Sequence, residues 1–205
     1  GMLKQEIVNA SNDVELSNST YELLTNTRTS SEVSGFIYEP YAEKVTRISK
    51  DHSGIVTNHT VTDIVKSTDG YGNLKSRTEK NHTTGNTIPD FKETFTYKPA
   101  DTTYWSVGQV ATHVQTSGNI VTPTDENSRT THFTSYDTRG RLTNLIIEPN
   151  NQPLNIAYGY DGFGNVETVA ESADDITTRM TTTNYDNVNG LYVDNTENAE
   201  SFKDF

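Results

Sequence analysis

Tyr136-Asp137-Thr138-Arg139-Gly140-Arg141-Leu142 is followed, 24 residues further on, by Tyr160-Asp161-Gly162-Phe163-Gly164-Asn165-Val166. Both stretches carry the pattern Tyr-Asp-x-x-Gly, and a short pattern that recurs at a period in the twenties predicts a repeat architecture. Weaker copies occur elsewhere in the chain. Residues 68–74 keep Asp69 and Gly72 without the tyrosine, residues 51–54 keep the Asp-x-x-Gly core alone, and residues 185–191 keep Tyr185 and Asp186 with the glycine one residue late.

The Asp-x-x-Gly core predicts a tight turn between two strands. Aspartate favours the first position, because its side chain can accept hydrogen bonds from the backbone just ahead. Glycine favours the fourth position, where the chain often adopts positive φ. The flanks of the first copy, residues 131–136 and 141–147, are rich in Thr, Tyr, Leu and Ile, as strands are. Residues 148–153, with two prolines and two asparagines, predict a looser corner.

Strand, tight turn, strand and corner together predict an all-β meander of antiparallel hairpins, curved or spiral as a repeat sheet. We assign the repeated residues to structure, with aspartate opening the turn, glycine closing it and tyrosine holding register with the next strand. The assigned turn residues are Asp69, Gly72, Tyr136, Asp137, Gly140, Tyr160, Asp161, Gly164, Tyr185 and Asp186.

Composition agrees with this fold class. Only 31% of the 205 residues are hydrophobic, which predicts a thin core, and 11 are tyrosine. No window keeps a sustained helical period, and the best helix candidate is Asn18–Thr25. The net charge of −12 disfavours nucleic acid and anionic membranes as partners, because both are polyanions. The absence of cysteine excludes disulfides and thiolate metal sites.

We divide the chain into a poorly defined N-terminal segment (1–34), a continuous hairpin array (35–190) and an acidic C-terminal tail (191–205). No apolar stretch reaches the length of a membrane span, and no signal peptide is visible. We interpret Gly1 as a residue left by tag removal, and expect the chain to be a fragment of a longer protein.

The Tyr136–Thr143 stretch resembles the YD repeat of the Rhs/YD-repeat proteins, whose unit reads Tyr-Asp-x-x-Gly-Arg-Leu. Tyr160–Val166 resembles the other common form of the unit, with Gly-Asn. Tyr97–Val110 is similar to a segment that often precedes such repeats in bacterial Rhs and insecticidal-toxin-complex-like virulence proteins. Phe36–Tyr41, followed by Asp69–Leu74, fits the same layout. The resemblance covers roughly residues 35–190.

This resemblance implies a part of a very large secreted or surface protein, and we expect that part to be non-catalytic because the sequence shows no catalytic constellation. In that family the repeats spiral into a hollow β-shell around a toxic C-terminal domain, so the implied partners are neighbouring repeats and an enclosed toxin domain. The chain is too short to close a whole shell. It also contains no Asp-Pro, which the self-cleavage motif of many Rhs shells requires, so no protease residues are carried over.

Sequence patterns for catalysis or cofactor binding are lacking, and we expect neither an enzyme nor a cofactor. Asp161–Asn165 and Asp69–Asn73 resemble pieces of a calcium loop, but lack its further carboxylates and terminal Glu, and a turn explains them better. The alternative function is an adhesin-like module that binds carbohydrate or a cell-surface protein. Its candidate stacking residues are Tyr97, Tyr104 and Trp105, which a small aromatic core would also explain.

Overall fold

A computed structural model describes residues 3–11, 14–29, 36–82, 90–101, 103, 106–118, 127–174, 176–186 and 188–200. Within these ranges every regular element is a β-strand. The strands are β1 (Gln5–Asn9), β2 (Glu15–Thr29), β3 (Phe36–Lys50), β4 (Val56–Lys66), β5 (Leu74–Asn81), β6 (Asp90–Tyr97), β7 (Val110–Gly118), β8 (Asn127–Tyr136), β9 (Leu142–Ile147), β10 (Leu154–Tyr160), β11 (Val166–Ala173), β12 (Ile176–Tyr185) and β13 (Val193–Glu200).

The 13 strands form one antiparallel meander, in which each strand pairs with the next strand along the chain. β1 and β13 are the two ends of this order. The predicted all-β hairpin meander is therefore confirmed. No helix in the described ranges has the length and apolar character needed to cross a membrane.

The chain divides into two compact units. The first comprises Gly1–Thr96 and Val114–Ser128, and the second comprises Tyr97–His113 and Arg129–Phe205. In the first unit the buried side chains are Val45 and Thr62, which face each other directly across the β3–β4 pair. In the second unit Leu145 of β9 is buried.

Leu145 marks the centre of the second unit's core. It is paired with Phe133 on β8 and with Ile156 on β10, so three large apolar side chains lie side by side across three strands. Such cross-strand neighbours are the main stabilising contacts of a sheet. Most other described side chains are half-buried or exposed, in agreement with the thin core that the composition predicts.

The best helix candidate, Asn18–Thr25, is not helical, and these residues lie inside β2. They pair with β3 over the whole stretch, from Asn18 opposite Ile48 to Thr25 opposite Pro40. Pairing with a long neighbouring strand supplies backbone hydrogen bonds along β2, and it overrides a weak local preference for helix. Strands also extend beyond the predicted array, since β1 and β2 lie in the N-terminal segment and β13 in the acidic tail.

A β-bulge occurs at the tyrosine of each Tyr-Asp copy. Tyr136 pairs with Leu142, whereas Ser135 pairs with Asn144, so Thr143 is the extra residue. The same shift occurs at Tyr160 and at Tyr185. In those hairpins the extra residues are Glu167 and Asp194. A bulge bends its strand and re-aims the side chains beside it, so each copy presents its tyrosine and its extra residue next to the turn.

Candidate functional site: the aspartate turns

The Asp137 turn shows how one copy of the pattern is built. Oδ1 of Asp137 accepts hydrogen bonds from the backbone N–H groups of Arg139 and Arg141, both at 2.9 Å. The Asp137 backbone completes the turn, because its C=O accepts from Gly140 N–H and its N–H donates to Arg141 C=O. Gly140 has φ +79°, a left-handed conformation that glycine adopts without steric cost. The carboxylate thus serves as the centre of the turn.

Asp161 and Asp186 repeat this arrangement. Oδ1 of Asp161 accepts from the backbone of Gly164 at 2.7 Å and of Asn165 at 2.8 Å. Oδ1 of Asp186 accepts from the backbone of Leu191 at 2.7 Å and of Tyr192 at 2.9 Å. The turn of the last copy is two residues longer, because the Asp186 N–H donates to the C=O of Tyr192, six residues on, instead of four.

Asp69 is held somewhat differently. Its Oδ1 accepts from Tyr71 N–H at 2.9 Å, and its Oδ2 accepts from the Asn73 amide at 2.8 Å. Gly72 has φ +76°, and its C=O accepts from Nζ of Lys66 at 2.8 Å. Both predicted residues therefore lie in the β4–β5 turn.

Two further aspartates form turns of the same kind. Asp51 accepts from the backbone of Ser53 and Ile55, between β3 and β4. Asp101 accepts from Thr103 N–H, and its backbone exchanges two hydrogen bonds with Ser106. The Asp101 turn was missed because no glycine occupies the fourth position. The sequence signal for it was an aspartate followed by two threonines between two strands.

In the Asp137, Asp161 and Asp186 turns, hydrogen bonds donated to the carboxylate lower its pKa. The backbone N–H of Arg141, followed by the Arg141 side chain and the Arg139 N–H, lowers the pKa of Asp137 against the effect of desolvation. Desolvation raises the pKa of Asp161, but the Asn165 amide and the backbone N–H groups outweigh it, and the pKa lies below its usual value. The backbone N–H of Tyr192 makes the largest contribution to the lowered pKa of Asp186. These carboxylates are therefore anionic acceptors at neutral pH and are poorly suited to act as general acids.

The repeat tyrosines connect neighbouring hairpins. The hydroxyl of Tyr160 donates to the C=O of Leu142 at 2.6 Å, and the hydroxyl of Tyr136 donates to the C=O of Val110 at 2.7 Å. Desolvation by burial raises the pKa of Tyr136, which keeps its hydroxyl a proton donor. Each of these two tyrosines thus fixes its hairpin to the strand before it.

Arg141, which directly follows the turn glycine, reaches forward to the next turn. Its Nε and Nη2 both lie 2.7 Å from Oδ2 of Asp137, and its guanidinium lies over the Tyr160 ring, 4.2 Å from the ring centre. Nη1 is buried without a hydrogen-bond partner among the described residues. A methyl group built on Gly164 would lie 3.3 Å from that nitrogen. The guanidinium therefore fills the space between two successive turns.

Asn165 occupies the equivalent position in the next copy, since Asp161 N–H donates to its C=O as Asp137 N–H does to that of Arg141. Its amide nitrogen donates to Oδ2 of Asp161 at 3.0 Å and to the C=O of Gly190 at 2.8 Å. Phe163, which belongs to the Asp161 turn, contacts the Asp186 turn, because a methyl group on Gly190 would lie only 2.6 Å from the Phe163 ring. Three successive turns are thus joined through the residues around each glycine.

Two cavities lie along this row of turns in the second unit. One, of about 420 Å³, is bordered by Asp101, Ser106, Gln109, Tyr136, Asp137, Thr138 and Gly140. The other, of about 350 Å³, lies between the Asp161 and Asp186 turns, and its border includes Phe163, Glu167, Tyr185 and Asp194. Both are partly open clefts rather than enclosed cavities.

The remaining predicted residues are placed as follows. Tyr97 is half-buried at the end of β6, whereas Tyr104 and Trp105 lie outside the described residues. Within the described ranges no three histidine or carboxylate side chains are grouped in a way that could hold a metal ion. The sequence patterns did not predict the contacts that Arg141, Asn165 and Phe163 make between successive turns. The sequence signal for these contacts was the position of the three residues beside the glycine in successive copies.

Comparison of the chain with models of known protein families finds no match, and neither does comparison with curated proteins.

Proposed function

We propose that this chain is a non-catalytic structural segment of a large secreted or surface protein of the Rhs/YD-repeat type, in which its hairpins form part of the wall of a β-shell around a toxin domain. The observation that carries the proposal is the direct connection between successive turns. Arg141 joins the Asp137 turn to Tyr160, and Asn165 joins the Asp161 turn to Gly190. Repeats that contact only their neighbours suit the construction of an extended wall.

The chemistry of the turns supports this proposal. The carboxylates of Asp137, Asp161 and Asp186 accept hydrogen bonds from their own turns, and their pKa values are lowered. A general acid or base near neutral pH needs the opposite kind of environment, with a carboxyl pKa raised by burial or by a second negative charge. Groups committed to local hydrogen bonds stabilise a scaffold.

Protease protection in the parent protein tests this function. The experiment introduces Arg141→Gln together with Tyr160→Leu into the full-length parent and follows digestion of the domain downstream of the repeats. We expect the protease to cleave that domain several-fold faster in the double variant than in the wild type. Arg139→Gln is the matched control, because Arg139 lies in the same turn with an exposed side chain. A parent with no repeats beyond this segment, or with equally rapid cleavage in all three proteins, would reject the proposal.

The second candidate is an adhesin-like module that binds carbohydrate. The observation in its favour is the cavity of about 420 Å³, where Tyr136 lies beside the polar groups of Asp101, Ser106 and Gln109. Sugar sites combine an aromatic surface with a few polar groups. A glycan array probed with the wild type, Gln109→Ala and Trp105→Ala tests it, and binding that neither substitution weakens would count against this site.

A further inference from the structure

A tripeptide that occurs twice in the first unit is brought together by the fold. Asn-His-Thr is found at residues 58–60 and again, 23 residues later, at residues 81–83. The first copy lies in β4, the second begins at the last residue of β5, and these two strands pair. Continuing the register of that pair, the N–H of His82 donates to the C=O of His59 at 2.7 Å. The two histidines are therefore direct neighbours across the strand pair.

The two imidazoles lie on the same face of the sheet, because directly opposite residues of paired strands project to the same side. The ring centres of His59 and His82 are 5.3 Å apart, and the rings are inclined at 43° to each other. His82 is exposed and His59 is half-buried, so solvent reaches the pair. The register thus presents two nitrogen ligands side by side at the end of a strand pair.

The separation of the two rings matches that of two histidines bound to one tetrahedral ion. An imidazole nitrogen lies about 2.1 Å from a bound Zn²⁺, and the ring centre lies about 1.2 Å beyond that nitrogen. Two rings at the tetrahedral angle then have their centres about 5.4 Å apart, whereas rings at a right angle, as in square-planar sites, have them about 4.7 Å apart. Imidazole suits Zn²⁺, while Mg²⁺ and Ca²⁺ prefer oxygen ligands. The pair therefore fits zinc best.

We propose that His59 and His82 form a binding site for Zn²⁺, in which two imidazole nitrogens and two water molecules make up the tetrahedron. The net charge of −12 favours the approach of a cation to the chain. The two ligands belong to different strands and meet only in the folded chain, so bound zinc joins β4 to the end of β5 and stabilises the first unit. This inference is independent of the proposed shell function.

A zinc titration tests the proposal. Zinc chloride is added to the chain, free of any histidine tag, at about pH 7.5, because metal binding needs unprotonated imidazole. We expect saturable NMR shifts of the His59 and His82 ring protons, with a dissociation constant below about 1 mM. We also expect a melting temperature raised by on the order of 5 °C at about 1 mM zinc. The absence of saturable shifts, or equal effects of magnesium chloride, would overturn the proposal.

Single substitutions locate the site. His59→Gln and His82→Gln each leave one imidazole, and we expect at least roughly tenfold weaker zinc binding in either variant. His52→Gln is the matched control, because His52 is an exposed histidine in the turn between β3 and β4, and its affinity should stay within about twofold of the wild type. Circular dichroism checks that each variant is folded, and the exposed position of His82 makes that substitution the milder one. Wild-type affinity in folded His82→Gln would reject the pair as the site.

Discussion

The guanidinium of Arg141 lies 4.2 Å from the centre of the Tyr160 ring, while its Nε donates to Asp137 at 2.7 Å. One side chain therefore contacts the turn of its own hairpin and the tyrosine of the next. The Tyr-Asp-x-x-Gly pattern determines a turn within its own residues, and the residue after its glycine contacts the next repeat. This division of roles leads to the following predictions.

Arg141 and Tyr160 are expected to be energetically coupled. A double-mutant cycle with Arg141→Gln and Tyr160→Leu, measured by urea unfolding, should give a coupling free energy of about 1 kcal/mol. The matched pair is Lys66 and Tyr41, where Nζ lies 5.6 Å from the ring centre, and its coupling should be smaller. Equal coupling free energies in the two pairs would mean that the shorter contact between Arg141 and Tyr160 stabilises the protein no more than the longer one does.

The tyrosine hydroxyls are expected to stabilise the contacts between hairpins. Tyr160→Phe removes the donor to Leu142 C=O, and Tyr136→Phe removes the donor to Val110 C=O. Each substitution should lower the free energy of unfolding by about 1 kcal/mol, since a buried acceptor loses its partner. Tyr192→Phe is the control, because Tyr192 is 71% exposed, and its effect should be within about 0.5 kcal/mol. A large effect in the control alone would contradict this account.

Gly190 is expected to tolerate alanine worse than Gly54 does. Both have positive φ, +64° and +81°, so alanine costs about 1–2 kcal/mol of backbone strain at either position. At Gly54 nothing lies within 4 Å of the added methyl, whereas at Gly190 the methyl would meet the Phe163 ring at 2.6 Å. Thermal unfolding should show the larger loss for Gly190→Ala. Phe163→Ala in the same chain should recover part of that extra loss.

Acid should weaken the aspartate turns. The native pKa values of Asp137, Asp161 and Asp186 lie below their usual values. An unfolded aspartate titrates near about 3.9, so the stabilisation is fully present above that pH. It is lost as the pH falls through the lower native pKa values, because the unfolded state then binds protons more readily than the native state.

Urea unfolding measured between neutral pH and pH 2 checks this expectation. The wild type should lose stability mainly below about pH 4. In Asp137→Asn the free energy of unfolding should fall less steeply with decreasing pH, since one titrating group has been removed. A variant with the same pH dependence as the wild type would show that Asp137 does not contribute.

Local pattern was sufficient to predict the repeat unit. The residues from Leu154 to Tyr160 form β10, and the corner at residues 148–153 separates β9 from β10 as expected. The turns at Asp137 and Asp161 could be predicted because aspartate and glycine determine them within five residues. The all-β class followed from the same short-range chemistry.

Longer-range features could not be predicted in this way. β2 was missed because its stability comes from pairing with β3 over 13 residue pairs, which no local window contains. The contact of Arg141 with Tyr160 depends on the register between hairpins and on the bulge at each tyrosine. An extra residue beside Tyr136, Tyr160 or Tyr185 affects which side chains meet, and the sequence pattern does not reveal that residue.

The strict β1 to β13 order has a consequence for how this chain acquires its structure. Because every strand pairs with its sequence neighbour, each pairing closes only a short loop, and the entropic cost of each closure is small. Folding of such a chain can begin at any well-formed hairpin and then extend outward one strand at a time. During synthesis each hairpin can therefore form on the one before it, so each new strand is added at the newest edge without waiting for a distant partner.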